Sequence, residues 1–273
     1  ILTISMTLCS LKFYCKVRII MLKDKNILVV GAAGLLGANL VKELLIQGAS
    51  VAAVDINLER LKSRLSSLGI NMLTADVILR EIDLSDKSSV TKMFEELEDL
   101  AGAVNCSYPR NENYGNHFFE VSLEDFNENI SLNLGSSFLF MQQSAAHFKR
   151  TKIPFSLVNI SSIYGVVAPK FEIYNNTNMT VPVEYASIKS VLIHLSKYVC
   201  KYVNDSRFRV NLVSPGGIFD SQPEAFLGAY KNETLGRGML DVTDVVGSIV
   251  FLLSPMAEFV TGQNIVVDDG FSI

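Results

Sequence analysis

Short apolar runs rich in β-branched residues alternate with helical patterns along nearly the whole 273-residue chain, and this alternation restricts its fold more than any other feature. The first run, 27–30, leads into a helical pattern over 37–47. There Leu40, Val41, Leu44 and Leu45 share one face, and Gly48 closes the helix. Further strands are expected at 51–54, within 73–82, and at 101–104, 155–160, 209–213 and 264–267. Helices are expected at 58–68, 88–97, 124–149, 184–202 and 243–253. Strands that each lead into a helix return to the same sheet in parallel, with helices on both faces. Right-handed crossovers make the sheet doubly wound. The fold class is α/β, one doubly wound parallel sheet in a single domain. Two stretches, 164–183 and 217–239, escape the alternation and read as functional loops or lids.

Hydrophobic residues make up 49% of the chain and charged residues 19%, enough apolar material for a sizeable core and too little charge for a disordered chain. The net charge of -4 offers no general attraction to nucleic acid or anionic lipid, so neither partner is expected. Cys9, Cys15, Cys106 and Cys200 form no CxxC pair and read as reduced thiols of a cytoplasmic protein. His117, His147 and His194 lie far apart in sequence, and no metal is expected. Residues 1–20 are apolar but carry Lys12, Lys16 and Arg18 late, unlike a secretory signal, and hold no run long enough to span a bilayer. They are expected to be a non-native or disordered N-terminal extension. An amphipathic interfacial anchor is the rival, disfavoured because the basic residues mark no clear polar face. The folded domain is expected to occupy 21–273.

The first strand runs directly into Gly31-Ala32-Ala33-Gly34-Leu35-Leu36-Gly37. Three glycines between a strand and a helix permit a sharp turn and bring backbone close to a pyrophosphate. The following helix N-terminus then presents free N–H groups and partial positive charge. A tight turn that binds nothing is the alternative. Asp55 closes the second strand, 18 positions after Gly37, where a carboxylate accepts hydrogen bonds from the adenosine ribose. It would repel a 2′-phosphate. The glycine loop has no basic residue and the first after Asp55 is Arg60, so NAD is expected over NADP. The plainer role for Asp55 is to cap the helix beginning near Leu58.

Tyr185 is followed four residues later by Lys189, at the start of a helix, so both side chains share one face. A phenol with an unperturbed pKa of about 10 is a poor base at neutral pH. A nearby ammonium favours the phenolate and lets Tyr185 exchange a proton with an alcohol or carbonyl. Ser161 and Ser162 lie at the carboxyl end of the strand 155–160, the edge at which such sheets bind ligands, and a hydroxyl there can hold the substrate oxygen. Taken singly, a surface Tyr/Lys pair or a capping serine is the commoner reading.

Together, Gly31, Gly34, Gly37, Asp55, Ser162, Tyr185 and Lys189 resemble the short-chain dehydrogenase/reductase family, whose fold is the Rossmann type. The likeness extends over 21–273. It implies that Asp83 and Leu84 contact adenine, and that Leu36 belongs to the cofactor loop. Val104-Asn105-Cys106 stands where the family has its Asn-Asn-Ala-Gly segment, which makes Asn105 a cofactor-side residue. Asn133 matches the helix Asn that completes a catalytic tetrad with Ser162, Tyr185 and Lys189 through a water. Ser214-Pro215-Gly216-Gly217-Ile218 resembles the segment beside the nicotinamide, which assigns Pro215, Gly216 and Ile218 to the cofactor. Thr261-Gly262-Gln263 and Asp268-Asp269-Gly270 resemble the C-terminal signature. A homodimer or homotetramer is implied, with the apolar stripes of 124–149 and 184–202 pairing between subunits.

The chain departs from the family in several places. Val30 replaces the usual Thr before the first glycine, and Asp220 replaces a Thr near the nicotinamide. Cys106, Ser107 and Tyr108 replace Asn-Ala-Gly. Tyr185 lies 23 positions after Ser162, a longer gap than usual, and the inserted 174–183 is expected to shape the substrate mouth. That insertion, with 161–171, is similar to a bacterial subgroup found in surface-polysaccharide and flagellin-glycan synthesis, including nonulosonic sugars. The similarity implies a sugar or nucleotide-sugar substrate. Two other readings stand beside it. One is an NAD-binding sensor or scaffold without turnover. The other is a nucleotide-sugar epimerase or dehydratase with retained NAD, which the absence of a large C-terminal domain opposes.

Overall fold

The computed structural model describes residues 20–273, so the expected extension 1–20 lies outside the described residues except for Ile20. Seven strands form one sheet: β1 (Asn26–Val30), β2 (Ser50–Asp55), β3 (Val77–Glu81), β4 (Leu100–Asn105), β5 (Phe155–Ile160), β6 (Phe208–Pro215) and β7 (Asn264–Val267). Their order is β3-β2-β1-β4-β5-β6-β7, and every pairing is parallel. The helices are α1 (Leu35–Ile46), α2 (Leu58–Ser67), α3 (Lys87–Glu96), α4 (Leu123–Asn129), α5 (Ser136–Thr151), α6 (Val183–Val203), α7 (Glu224–Asn232) and α8 (Val242–Leu253). No helix among the described residues is long and apolar enough to cross a membrane.

The period-2 alternation of β1 builds two cores. Ile27 and Val29 join Leu40 and Leu44 of α1 and Ile249 and Val250 of α8. Leu28 and Val30 join Phe94 of α3, Phe140 and Phe148 of α5 and Leu192 of α6. Inner strands β5 and β6 are buried along nearly their full length, which is why they read as continuous apolar runs, whereas edge strand β3 is largely open. A third cluster stands apart from both. Ile163, Ile173, Phe226, Tyr230 and Phe271 pack together with Tyr164, Tyr174, Met179 and Met239 against them. Tyr230 stacks on Phe271 with ring centroids 4.6 Å apart, and Tyr174 meets Phe226 at 5.1 Å.

The helix expected over 124–149 is interrupted. A π-helical stretch, Ile130–Gly135, separates α4 from α5. Asn129 and Asn133 are buried here, and both bind the loop 106–122. Asn129 accepts from Asn111 N at 2.9 Å, and Asn133 donates to the Pro109 carbonyl at 3.4 Å. The wider turn accompanies two polar side chains that face inward, and such interruptions recur at functional sites. The stretch 217–239 is also more regular than expected, because it contains α7. Gly228 and the buried face of only Phe226 and Tyr230 hide that helix from periodicity. The start of the loop 106–122, where Cys106, Ser107 and Tyr108 depart from the family's pattern, lines the site.

Candidate active site

The strand order reverses between β1 and β4, and a crevice opens there at the carboxyl ends of the strands. Gly31 turns the chain out of β1 with φ +72, and a Cβ at this position would lie 2.6 Å from the backbone nitrogen of Ser107. A Cβ on Gly37 would lie 2.2 Å from the Gly31 carbonyl oxygen, so α1 can start this close only with glycine. Gly34 is the N-cap of α1 and offers no side-chain acceptor. The first N–H groups of the helix thus point to the crevice without a side-chain cap.

Beside this turn lies a cavity of about 490 Å³ lined by Gly31, Gly34, Asp55, Asp83, Leu84 and Arg60, among others. Asp55 accepts from Ala33 N at 2.9 Å and from Asn57 N at 3.3 Å, so its carboxylate is tied to the glycine loop. The cap of α2 is Asn57, whose side chain accepts from Arg60 N at 2.8 Å, and not Asp55. Asp83 accepts from the backbone and hydroxyl of Ser85 at 2.8 and 2.7 Å.

A second cavity, about 370 Å³, adjoins the first and is lined by Leu36, Ser162, Tyr185, Lys189, Pro215, Gly216 and Ile218. Cys106, Ser107 and Tyr108 border both cavities. Asn105 and Asn133 line neither; both are buried behind the wall. Asn105 accepts from Ser107 N at 3.0 Å and from its hydroxyl at 2.6 Å, which shapes the turn leaving β4. Gly37 also stands behind, as a packing position.

The two serines beyond β5 separate into different tasks. The Ser161 hydroxyl donates to the Lys189 carbonyl at 2.8 Å and ties β5 to α6. Ser162 accepts from Tyr164 N at 3.2 Å and lines the same cavity as Tyr185. Gly165 makes this junction possible, because a Cβ there would lie 2.6 Å from the Lys189 backbone carbon and oxygen. Burial raises the Tyr185 pKa and the neighbouring Ser162 hydroxyl opposes it. Burial lowers Lys189 to about 8, with Cys106 acting in the other direction. The Lys189 ammonium donates to the Ile160 carbonyl at 2.9 Å. Burial pushes the Cys106 thiol up to about 12, so it stays a neutral wall group at ordinary pH.

Phenols line the rest of the second cavity. Tyr164 and Tyr174 share a hydrogen bond of 2.9 Å, and the Tyr230 hydroxyl accepts from Gly217 N at 2.6 Å. Burial raises all three, Tyr174 to about 12. Tyr114 escaped sequence reasoning, which marked Tyr108 only as a departure and Tyr164, Tyr174 and Tyr230 only as parts of the irregular stretches 164–183 and 217–239; the signal available was a cluster of tyrosines in stretches without periodicity. Asp220 is exposed, does not line the cavity, and has its backbone N–H bound by Gln222.

The comparisons with known proteins agree with this geometry. A family model described as enoyl-(acyl carrier protein) reductase matches residues 31–272. The post-translational flagellin modification protein A of Campylobacter coli is 37% identical over 258 residues, covering 93% of this chain and all of that protein. A 7alpha-hydroxysteroid dehydrogenase of Bacteroides fragilis is 27% identical and covers 92% of this chain and 95% of its own. Among solved structures, a short chain dehydrogenase of Leptospira borgpetersenii with bound NAD+ is 30% identical with a TM-score of 0.81, covering 93% of this chain and 94% of that one. A cofactor crevice built on three glycines, a Tyr/Lys pair at its inner end and a family match over nearly the whole sequence lead to one conclusion: the chain belongs to the short-chain dehydrogenase/reductase family of oxidoreductases.

Proposed function

We propose that the chain is an NAD-dependent dehydrogenase or reductase that interconverts a secondary alcohol and a carbonyl on a sugar or nucleotide-linked sugar during surface-glycan synthesis. The observation that carries the reading is the convergence of Ser162, Tyr185 and Lys189 in one cavity that adjoins the glycine crevice. The residues fit the cofactor, because the crevice is a cradle whose turn a Cβ on Gly31 would crowd, and a Cβ on Gly37 would push α1 away from that turn. Gly31, Gly34 and the α1 N-terminus would hold the pyrophosphate, with Leu36 and Gly37 completing the loop. Asp55 would accept from the adenosine ribose, and Asp83 and Leu84 would flank adenine. Asn105 would shape the wall, and Pro215, Gly216 and Ile218 would face the nicotinamide. When bound, NAD supplies the hydride acceptor, and its reduced form the donor.

The protein's own part is to orient and to move a proton. Ser162 holds the substrate oxygen, and the Tyr185 hydroxyl exchanges a proton with it. Lys189 supplies the countercharge for the Tyr185 phenolate and would hold the nicotinamide ribose. Asn133 supports the proton path from the buried side. The second cavity, at about 370 Å³, is at the small end of small-molecule sites and must take the nicotinamide as well. It therefore suits one sugar ring, and a nucleotide would lie outside it. The flagellin-modification relative supports the glycan role. The reading sets the enzyme in the cytoplasm, where NAD and nucleotide-linked sugars are held. Exposed Phe138 on α5 and Val191, Tyr198 and Tyr202 on α6 support a homodimer or homotetramer joined through these helices.

The test follows absorbance of reduced nicotinamide with NAD and a panel of free, phosphorylated and nucleotide-linked sugars. Turnover on one class is expected, falling by about 10²-fold or more in Tyr185→Phe while NAD binding survives. Tight NAD binding without turnover on any sugar would refute the substrate reading, and undiminished turnover in Tyr185→Phe would refute the proton role.

A further inference from the structure

Tyr108 stands where the family has the glycine of its Asn-Asn-Ala-Gly segment, and the structure gives that replacement an address. Its ring meets the Tyr185 ring edge to face, with centroids 5.6 Å apart and planes at 90°. The Lys189 nitrogen lies 5.4 Å from the Tyr108 centroid and 5.6 Å from the Tyr185 centroid, in the corner between the two rings. Both distances are within the range in which a ring quadrupole attracts a cation. Lys189 is 5% exposed, and its ammonium has the Ile160 carbonyl as hydrogen-bond acceptor. None of the ion pairs among the described residues includes it. This dry cation thus has one neutral oxygen, the Cys106 side chain and two ring faces as its favourable neighbours.

We propose that Tyr108 is a positioning residue whose ring holds the Lys189 ammonium in its charged form beside Tyr185. The proposal rests on the roles assigned to Tyr185 and Lys189 above. Tyr108 is itself fixed. Its hydroxyl bonds the Tyr114 hydroxyl, its ring packs edge to face on Tyr114 at 5.6 Å, and the exposed Arg110 guanidinium lies 5.3 Å from its centroid. The hydroxyl is thus engaged away from Lys189, and the ring is the part that acts.

Other groups surround the pair from every side. Cys106 comes from the end of β4, and Tyr108, Arg110 and Tyr114 from the loop after it. Ser162 and Tyr164 follow β5, Tyr174 comes from the inserted stretch, and Glu184 precedes Tyr185 on α6. Glu184 is buried and accepts from Asn129 at 3.2 Å. Among these groups only the Tyr108 and Tyr185 rings lie within cation–π distance of the Lys189 nitrogen. Burial already brings Lys189 to about 8, so the ring acts where a modest change removes the charge within the working pH range.

The experiment compares Tyr108→Phe, which keeps the ring, with Tyr108→Leu, which keeps bulk without a quadrupole. The side-chain carbon resonances of isotope-labelled lysine are titrated in the apoenzyme, and Lys189→Met identifies the signal. Tyr108→Phe is expected to titrate with the parent, and Tyr108→Leu with a midpoint lower by about half to one and a half pH units. The high-pH limb of kcat is expected to move by the same amount in Tyr108→Leu only. A Leu variant that titrates with the parent overturns the proposal. So does a Phe variant that falls as far as Leu, because the hydroxyl would then be responsible. Tyr108→Met repeats the comparison if Tyr108→Leu does not fold. The NMR midpoint is read without substrate, so a dehydrogenase reading that failed for lack of turnover would leave this result standing.

Discussion

Replacing Asp55 with serine should convert a chain that prefers NAD into one that accepts NADP, at a cost in NAD affinity that the structure lets us size. The Asp55 carboxylate is not a loose surface charge. It is bound by Ala33 N at 2.9 Å and by Asn57 N at 3.3 Å, so it cannot swing away from an incoming phosphate. Two unit charges about 4 Å apart repel by about 1 kcal/mol in water and about 4 kcal/mol at an effective dielectric of 20. A half-open crevice lies between these limits. Asp55→Ser should therefore tighten NADPH binding by about 5-fold at least and up to several hundredfold. Arg60 lines the same cavity and can face the phosphate. The opposite effect falls on NADH, which loses charge-assisted hydrogen bonds worth about 1.5–3 kcal/mol, or roughly 10- to 100-fold in Kd. Fluorescence titration of both reduced cofactors reads both numbers without any knowledge of the substrate. A folded Asp55→Ser protein that binds NADPH no better than the parent would sink the argument from charge, and would shift cofactor choice to Arg60 or to the glycine loop.

Two further outcomes are expected. Gly165→Ala forces a Cβ to within 2.6 Å of the Lys189 backbone, so α6 must move away from the end of β5; kcat should fall by about 10-fold or more while NADH binding holds, and an unchanged kcat would show the junction to be compliant. His147 is fully buried, and its pKa is lowered chiefly by that burial. Its neutral form therefore contributes stability that is present above the unfolded value near 6.5 and lost as pH falls through the lower folded value. The drop in Tm between pH 7 and pH 5 should be smaller in His147→Phe than in the parent, and equal drops would count against it.

How much of this was legible in the sequence depended on distance along the chain. The sheet was readable because β1, β2, β5 and β6 are buried on both faces and so appear as unbroken apolar runs. The glycine turn and the pair Tyr185/Lys189 were readable for a related reason, since each is complete within a few residues. Tyr108, Arg110 and Tyr114 were not, because their meaning arises only when the loop 106–122 folds against α6 and meets Lys189. The π-helical stretch escaped for the converse reason. Its apolar pattern is that of a helix, and the wider turn accompanies bonds of Asn129 and Asn133 to a loop distant in sequence. Asp55 shows the limit of position alone. At the end of β2 it reads as a ribose acceptor, a helix cap or both, and Asn57 as the actual cap removes the second of these roles.

The third apolar cluster bears on how such an enzyme changes its trade over generations. Four residues that wall the second cavity, Tyr174, Met179, Phe226 and Met239, belong to a cluster that shares no member with either core of the sheet. Substitutions at sites without common partners act nearly independently. A lineage can therefore sample new walls while the scaffold keeps its margin above the unfolding threshold, and Tyr185 and Lys189 stay on α6 outside the cluster. For a protein engineer the same separation marks where a library is best aimed: randomising Met179, Phe226 and Met239 explores new substrates in an unaltered frame.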